Sequence, residues 1–263
     1  EQLMKGNVKV YEEWFVTSLV IEEGICIGAV AIDIRSGEIH GFEAKAVIMA
    51  TGGLGRVFEP STNALICTGD GISLAYKAGA PLMDMEMVQY HPTTLPSNGA
   101  LISEAARGEG AYLINAEGER FLGNPRNPYC APNKMELASR DVISRAEQVE
   151  IDDGRGLNGA VLLDCRHLGR DMVIERLSQI HELALQFADV DLIEDPVPIV
   201  PGMHYQMGGI KTDVDGKTSV PGLFAAGECA CACAGGHGGS CSLQLYLGIS
   251  FSKKICIGRR GER

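Results

Sequence analysis

With 263 residues, 45% of them hydrophobic, the chain is long enough to bury one large core or two modest ones, so disorder is not the default expectation. Its formal net charge of -11 argues against a nucleic-acid or anionic-membrane surface, because the field of the whole protein repels both. Any anionic substrate must then be held by a local group of cations.

The opening residues Glu1-Gln2-Leu3-Met4-Lys5-Gly6 lack the charged-then-apolar order of a signal peptide, and no apolar run approaches the roughly 18 residues of a membrane span. A soluble chain, held to a membrane only through partners, is expected. Nine cysteines, an odd number, fit reduced intracellular thiols better than a disulfide framework. A start without Met, directly inside strand-forming text, leads us to expect the central piece of a longer polypeptide.

Residues 8–50 are strand-like. Val8-Lys9-Val10-Tyr11 alternates, residues 25–34 are rich in β-branched side chains, and Arg35-Ser36-Gly37-Glu38 suits a hairpin turn, so an antiparallel meander is predicted. Ala46-Val47-Ile48-Met49-Ala50-Thr51-Gly52-Gly53 is a short apolar strand running into a glycine turn, where a ligand or another backbone can come close. Asp70 stands where the N-cap of a helix over 72–79 would be, with Gly79 as its C-cap and Pro81 beyond. Met83, Met85 and Met87 alternate with Asp84 and Glu86, as on a strand with one packed face; core filling, not metal ligation, is the expected role.

Helical spacing recurs at 136–151 through Leu137, Ile143, Ala146 and Val149, and at 171–187 through Val173, Leu177, Ile180 and Ala184. Pro196-Val197-Pro198-Ile199-Val200-Pro201 suits a crossing between domains. Ile210-Lys211-Thr212-Asp213 and the stretch 219–228 predict strand, hairpin and strand. With no internal repeat, the middle block is best placed as an insertion. The expected fold is α/β with an α+β insertion, divided at residues 1–84, 85–203 and 204–263.

Four motifs carry chemistry: His91-Pro92-Thr93-Thr94, the run Ser103-Glu104-Ala105-Ala106-Arg107-Gly108-Glu109-Gly110, Ser139-Arg140-Asp141, and His204-Tyr205-Gln206-Met207-Gly208-Gly209. Singly each is weak: a histidine before proline is usually a turn or core group, and Arg107 with Glu109 could be a surface pair. Glu104 lies three positions before Arg107, a spacing that can put both on one helical face. A helix starting near Arg140 would project that side chain from its first turn, with Asp141 complementing the dipole. Together the motifs are specific, and the competing reading is a structural salt-bridge network.

With Thr62-Asn63-Ala64, Cys67-Thr68-Gly69-Asp70-Gly71, Asp84-Met85-Glu86-Met87, Tyr112-Leu113-Ile114-Asn115 and Gly118-Glu119-Arg120-Phe121, the ordered set resembles the flavoprotein subunits of succinate dehydrogenase and fumarate reductase and their relative L-aspartate oxidase. The resemblance covers about nine-tenths of the chain. It implies a flavin adenine dinucleotide (FAD) domain, incomplete at its N-terminus and interrupted by a capping domain, with a small dicarboxylate, succinate or fumarate, held between the two. It implies that His91, Ser103 and His204 bind substrate, that Arg140 delivers a proton, and that Glu104 and Arg107 return one to it. Gly52, Gly53, Asp70, Glu228, Ser242 and Leu243 would meet FAD. It also implies an iron–sulfur partner subunit, a quinone-reactive membrane anchor beyond it, and a cytoplasmic place at the inner face of the membrane.

The family's glycine-rich dinucleotide turn and flavin-linking histidine are expected upstream of this chain. After Gly227-Glu228 the pattern departs: His237-Gly238 and Ser242-Leu243 look like remnants, but the family's substrate-clamping arginine has no counterpart between them. Cys229, Cys231, Cys233, Cys241 and His237 raise a metal site, which their C-x-C-x-C spacing disfavours. An interrupted reading frame accounts for the same stretch, and no metal is expected. L-aspartate oxidase and a catalytically inactive fragment are the alternative functions.

Overall fold

The computed structural model describes residues 8–232, which fall into two compact units: the first joins residues up to Gly53 to Gly69–Met87 and to the segment from Met207, and the second joins Leu54–Thr68 to Val88–Gln206.

The first unit opens with the predicted meander, β1 (Trp14–Glu22), β2 (Ile25–Asp33) and β3 (Ile39–Glu43), all antiparallel. The β1–β2 turn places Glu23 and Gly24 at φ 50° and 78°, and Gly37 at φ 77° closes the second turn. The alternating run 8–11 is not a strand. Glu13 at φ 62° breaks the extended path before β1, and Tyr11 instead packs edge-on against Trp14 and Phe42. β4 (Val47–Met49) follows, then α1 (Asp70–Lys77). Asp70 is the first helical residue, and Gly69 at φ 81° takes the cap, a left-handed geometry that costs glycine little. β5 (Leu82–Met83) stops after two residues because Asp84 turns to φ 54° and its carbonyl accepts from Met87 N–H at 2.9 Å. The methionine alternation therefore marks a turn and not a longer strand.

The second unit contains β6 (Val88–Thr94), α2 (Ala105–Gly108), β7 (Tyr112–Ile114), α3 (Arg140–Asp152), β8 (Val161–Asp164), α4 (Arg170–Arg176), α5 (Ser178–Ala188) and β9 (Val197–Gln206). Its strands form one antiparallel sheet in the order β6-β9-β8-β7. The proline stretch is thus a sheet strand, not a crossing: Pro198 lies opposite Leu162, and the ladder with β6 skips register around Pro201 and Pro92, neither of which has an N–H to give. Helix α3 starts at Arg140 because Met135–Leu137 is a separate 3-10 turn, which leaves Leu137 67% exposed instead of in the core. The second predicted helix breaks at Leu177 into α4 and α5, yet Val173, Leu177, Ile180 and Ala184 all reach the core. That core also takes Leu113, Phe121, Ile143, Leu163 and Ile199.

The chain returns to the first unit through β10 (Gly209–Thr212), β11 (Leu223–Ala225) and β12 (Ala230–Ala232). The expected hairpin does not form a sheet of its own. β10 lies between β12 and β5, whereas β11 pairs in parallel with β4, and a single bridge joins Lys217 to Phe224. Among the described residues, no helix is long and apolar enough to cross a membrane.

Leu163 of β8 has no exposed surface and sits among the core residues of the second unit. Leu163→Ala is expected to destabilise that unit by about 2–5 kcal/mol, read as a lower urea midpoint with an unchanged slope.

Candidate functional site

The β6–β9 pair carries both motif histidines at breaks in its register. Gln89 lies opposite Tyr205 and Tyr90 opposite Met203, so His204 is the extra residue of a bulge, and the ladder breaks again just after His91, which faces Gly202. Bulges turn side chains that a regular ladder would keep apart. Here the His91 and His204 rings meet edge to face, 5.2 Å between centroids and 61° between planes.

His91 is 1% exposed. Its Nδ1 accepts the Thr93 backbone N–H at 3.2 Å, which leaves the ring hydrogen on Nε2 and makes that atom the donor. Burial, then the nearby Arg140 charge, pushes its pKa down to about 3, so the ring is neutral in ordinary buffers. His204 shifts downward for the same two causes, burial first. Thr62 Oγ1 lies 2.9 Å from His204 Nδ1, and Asn63 Nδ2 donates to the His204 carbonyl at 2.8 Å, fixing the ring.

Three charged side chains form a continuous chain beside these rings. Arg140, at the start of α3, donates from Nη2 to Glu104 Oε2 at 3.0 Å and from Nη1 to Gln89 Oε1 at 3.0 Å. Arg107 donates from Nη2 to Glu104 Oε1 at 3.0 Å and from Nη1 to the Glu136 carbonyl at 2.7 Å. Glu104 thus bridges two guanidiniums through its two oxygens, and the Arg140 hydrogen bond holds its carboxyl below the usual carboxylate range. Arg107 is almost wholly buried, and burial lowers its pKa. Its partner is Glu104, while Glu109 pairs with Arg176, so the sequence alternative of an Arg107–Glu109 surface pair is not what forms.

Ser103 is exposed, and its Oγ accepts the Ala105 N–H at 3.3 Å as α2 begins. Gln89 and Thr93 were not singled out as individual ligands in the sequence, although both lie two positions from His91, the spacing that returns a strand to the same face. Thr62 and Asn63 come from a distant loop; the sequence marks them as part of the resemblance but gives no sign that they hold His204.

In the first unit the parallel strands β4 and β11 run into glycine turns. Gly52, at φ 72°, has open space where a Cβ would stand, whereas a Cβ on Gly53 would collide with the Glu228 carboxylate. A glycine cradle with an acidic side chain at the carboxyl end of parallel strands suits a nucleotide cofactor. Asp70 is exposed at the start of α1. Ser242, Leu243, Cys233, His237 and Cys241 lie outside the described residues. Cys229 is buried, donates to the Met49 carbonyl at 3.2 Å, and has its pKa raised by burial, the state of a structural thiol. Among the described residues no group of three His, Cys, Asp or Glu could hold a metal ion.

A glycine-ended parallel strand pair, together with an inserted unit bearing a dense arginine–carboxylate–histidine cluster, defines a flavoprotein-type nucleotide-binding chain. The chain belongs to the FAD binding domain family, whose pattern matches residues 1–245, and FAD is its cofactor. It is 47% identical over 238 residues to a fumarate reductase flavoprotein subunit of Mycobacterium tuberculosis, a match covering 87% of this chain and 41% of that protein. It is 46% identical over 244 residues to a succinate dehydrogenase flavoprotein subunit of Rickettsia conorii, covering 88% of this chain and 40% of that one. Among solved structures, an E. coli quinol fumarate reductase superposes with a TM-score of 0.85 at 38% identity, over 99% of this chain and 48% of its own. The chain therefore spans about two-fifths of the length of the curated relatives it matches.

Because His91 resists protonation until about pH 3 while an unfolded histidine takes a proton near 6.5, it contributes stability that is present above 6.5 and lost as pH falls toward 3. Arg140→Gln removes the second cause of the shift in both rings. Both histidine pKa values are expected to rise without reaching 6.5, since burial remains, and nitrogen-15 NMR of the imidazoles reads the change.

Proposed function

We propose that the protein carrying this chain interconverts succinate and fumarate, exchanging a hydride with FAD and a proton through Arg140. One observation carries the reading: the unbroken Arg140–Glu104–Arg107 chain, both links 3.0 Å long, within electrostatic reach of two neutral imidazoles. A dianion beside a chain of net charge -11 needs such a local cationic group. His91 offers Nε2–H to a substrate carboxylate, His204 stands beside it, Ser103 lies next to Glu104 in sequence, and Arg140 supplies positive charge. None of these donors must gain a proton before accepting the anion.

Bound FAD supplies the two-electron hydride exchange. Gly52 and Gly53 would let the backbone approach it, and Glu228, with Asp70, would accept hydrogen bonds from its hydroxyls. Residues 85–203 act as the capping domain between residues 1–84 and 204–263. Arg140 then gives a proton to the substrate carbon opposite the one that takes hydride. Glu104, touching both arginines, takes a proton from Arg107 on one oxygen and returns one to Arg140 from the other. An arginine is too weak an acid to do this in water; burial of Arg107 and charge developing on carbon bring the transfer within reach.

The relatives are named as flavoprotein subunits. We read the same role here, with electrons exchanged through an iron–sulfur subunit and a quinone-reactive membrane anchor, and this chain peripheral to the membrane on its cytoplasmic side.

Anaerobic fumarate reduction by a low-potential dye, measured on the whole polypeptide, tests the assignment. Arg140→Gln is expected to lower kcat by at least about 10²- to 10⁴-fold, the range of a lost general acid. Aspartate-dependent peroxide formation in place of fumarate reduction would overturn the reading.

A further inference from the structure

The second unit buries a carboxyl group that the reaction above leaves unused. Glu147 lies on α3, two turns after Arg140, and has no exposed surface. Neither of its carboxyl oxygens has a hydrogen-bond partner, and the Nε of Arg107 is likewise buried without one. Glu147 and Arg107 act on each other electrostatically, each appearing among the causes of the other's shift. Of the other charged groups on and around α3, Glu136 pairs with Arg120, Glu150 with Arg155, Asp164 with Arg166 and Arg140 with Glu104, while Arg145 lies over the Tyr129 ring, Asp152 accepts from Gln148 and Asp141 is exposed. On the facing strands β6 and β9 the histidines are His91 and His204, both neutral, and the phenols are Tyr90 and Tyr205.

A carboxyl group without donors in an apolar interior keeps its proton. Burial accordingly raises the Glu147 pKa well above the carboxylate range, against the smaller opposing pull of Arg107. In that state Glu147 leaves the whole charge of Arg107 to Glu104. Once ionised it would become a second anion competing for the same guanidinium.

We propose that Glu147 is a positioning residue for the proton relay: uncharged, it commits Arg107 to Glu104, and on ionising it draws Arg107 away and closes the relay. The inference rests on the relay reading given above. Its signature is an alkaline loss of activity that belongs to Glu147 and not to the histidines or to substrate.

Glu147→Gln keeps the shape and removes the titration. In the whole polypeptide it is expected to hold kcat/KM near neutral pH within about threefold, while the alkaline limb of the pH profile moves up by at least about one unit. Glu147→Met, uncharged and of similar length, should behave alike. Glu147→Asp should retain a limb. Thermal midpoint against pH supplies a readout independent of turnover. The folded protein holds a proton that the unfolded chain releases near pH 4.5, so the wild type loses stability as pH rises from there, and the Gln variant should be flatter. An unmoved alkaline limb in both uncharged variants, or an equally steep midpoint curve, overturns the proposal. If fumarate reduction itself is absent, the midpoint comparison still decides the state of Glu147.

Discussion

The pairing of β6 with β9 is the constraint on which the site depends. Two strands whose ladder ran without interruption would present successive side chains to opposite faces in fixed alternation. Here the ladder slips at His204 and again between His91 and Thr94, where Pro92 and Pro201 have no N–H to offer. These two local failures of pairing bring the imidazoles edge to face. The rest of the sheet, β8 and β7, makes the irregular pair affordable by anchoring its other edge to the main core.

Electrostatics then follows from placement. α3 begins at Arg140 because the preceding 3-10 turn ends before it, and α2 is only one turn long, so Glu104 and Arg107 meet across three positions. One carboxylate held between two guanidiniums leaves the trio with a net positive charge, and burial first, then the Arg140 charge, keeps both histidines neutral. The cluster can therefore attract an anion without binding protons first. Burial of Arg107 sharpens the arrangement, because a guanidinium with 2% exposure cannot exchange partners through water.

Much of this was legible in the sequence, and the exceptions have physical causes. The meander and the short strand before Gly52 each have a strong local signal, alternation or a glycine stop, whereas helical spacing read from residue 136 overran the true start of α3 at Arg140. The spacing of Glu104 and Arg107 correctly implied contact. What misled was pattern without backbone freedom. The run 8–11 alternates but is interrupted by Glu13 in a left-handed conformation, and Met83-Asp84-Met85 alternates through a turn. The prolines of β9 resembled a linker because proline removes ladder hydrogen bonds, yet strand irregularity absorbs the loss. Thr62 and Asn63, which fix His204, are set by tertiary contact alone, and Glu147 in an amphipathic helix reads as one more surface charge until its burial is seen.

The chain passes between the two units at residues 53, 68, 87 and 206, and among the described residues β4 finds its parallel partner in β11. During synthesis from the N-terminus, Met49 must wait for Ala225 to emerge before that pairing can close, whereas the second unit has all its strands once β9 is out. The arginine–carboxylate–histidine cluster of the second unit can thus form before β4 and β11 have paired. An unpaired apolar strand of this kind is a target for chaperones and for aggregation. The length of chain between β4 and β11 accordingly sets how long β4 waits for this partner during synthesis.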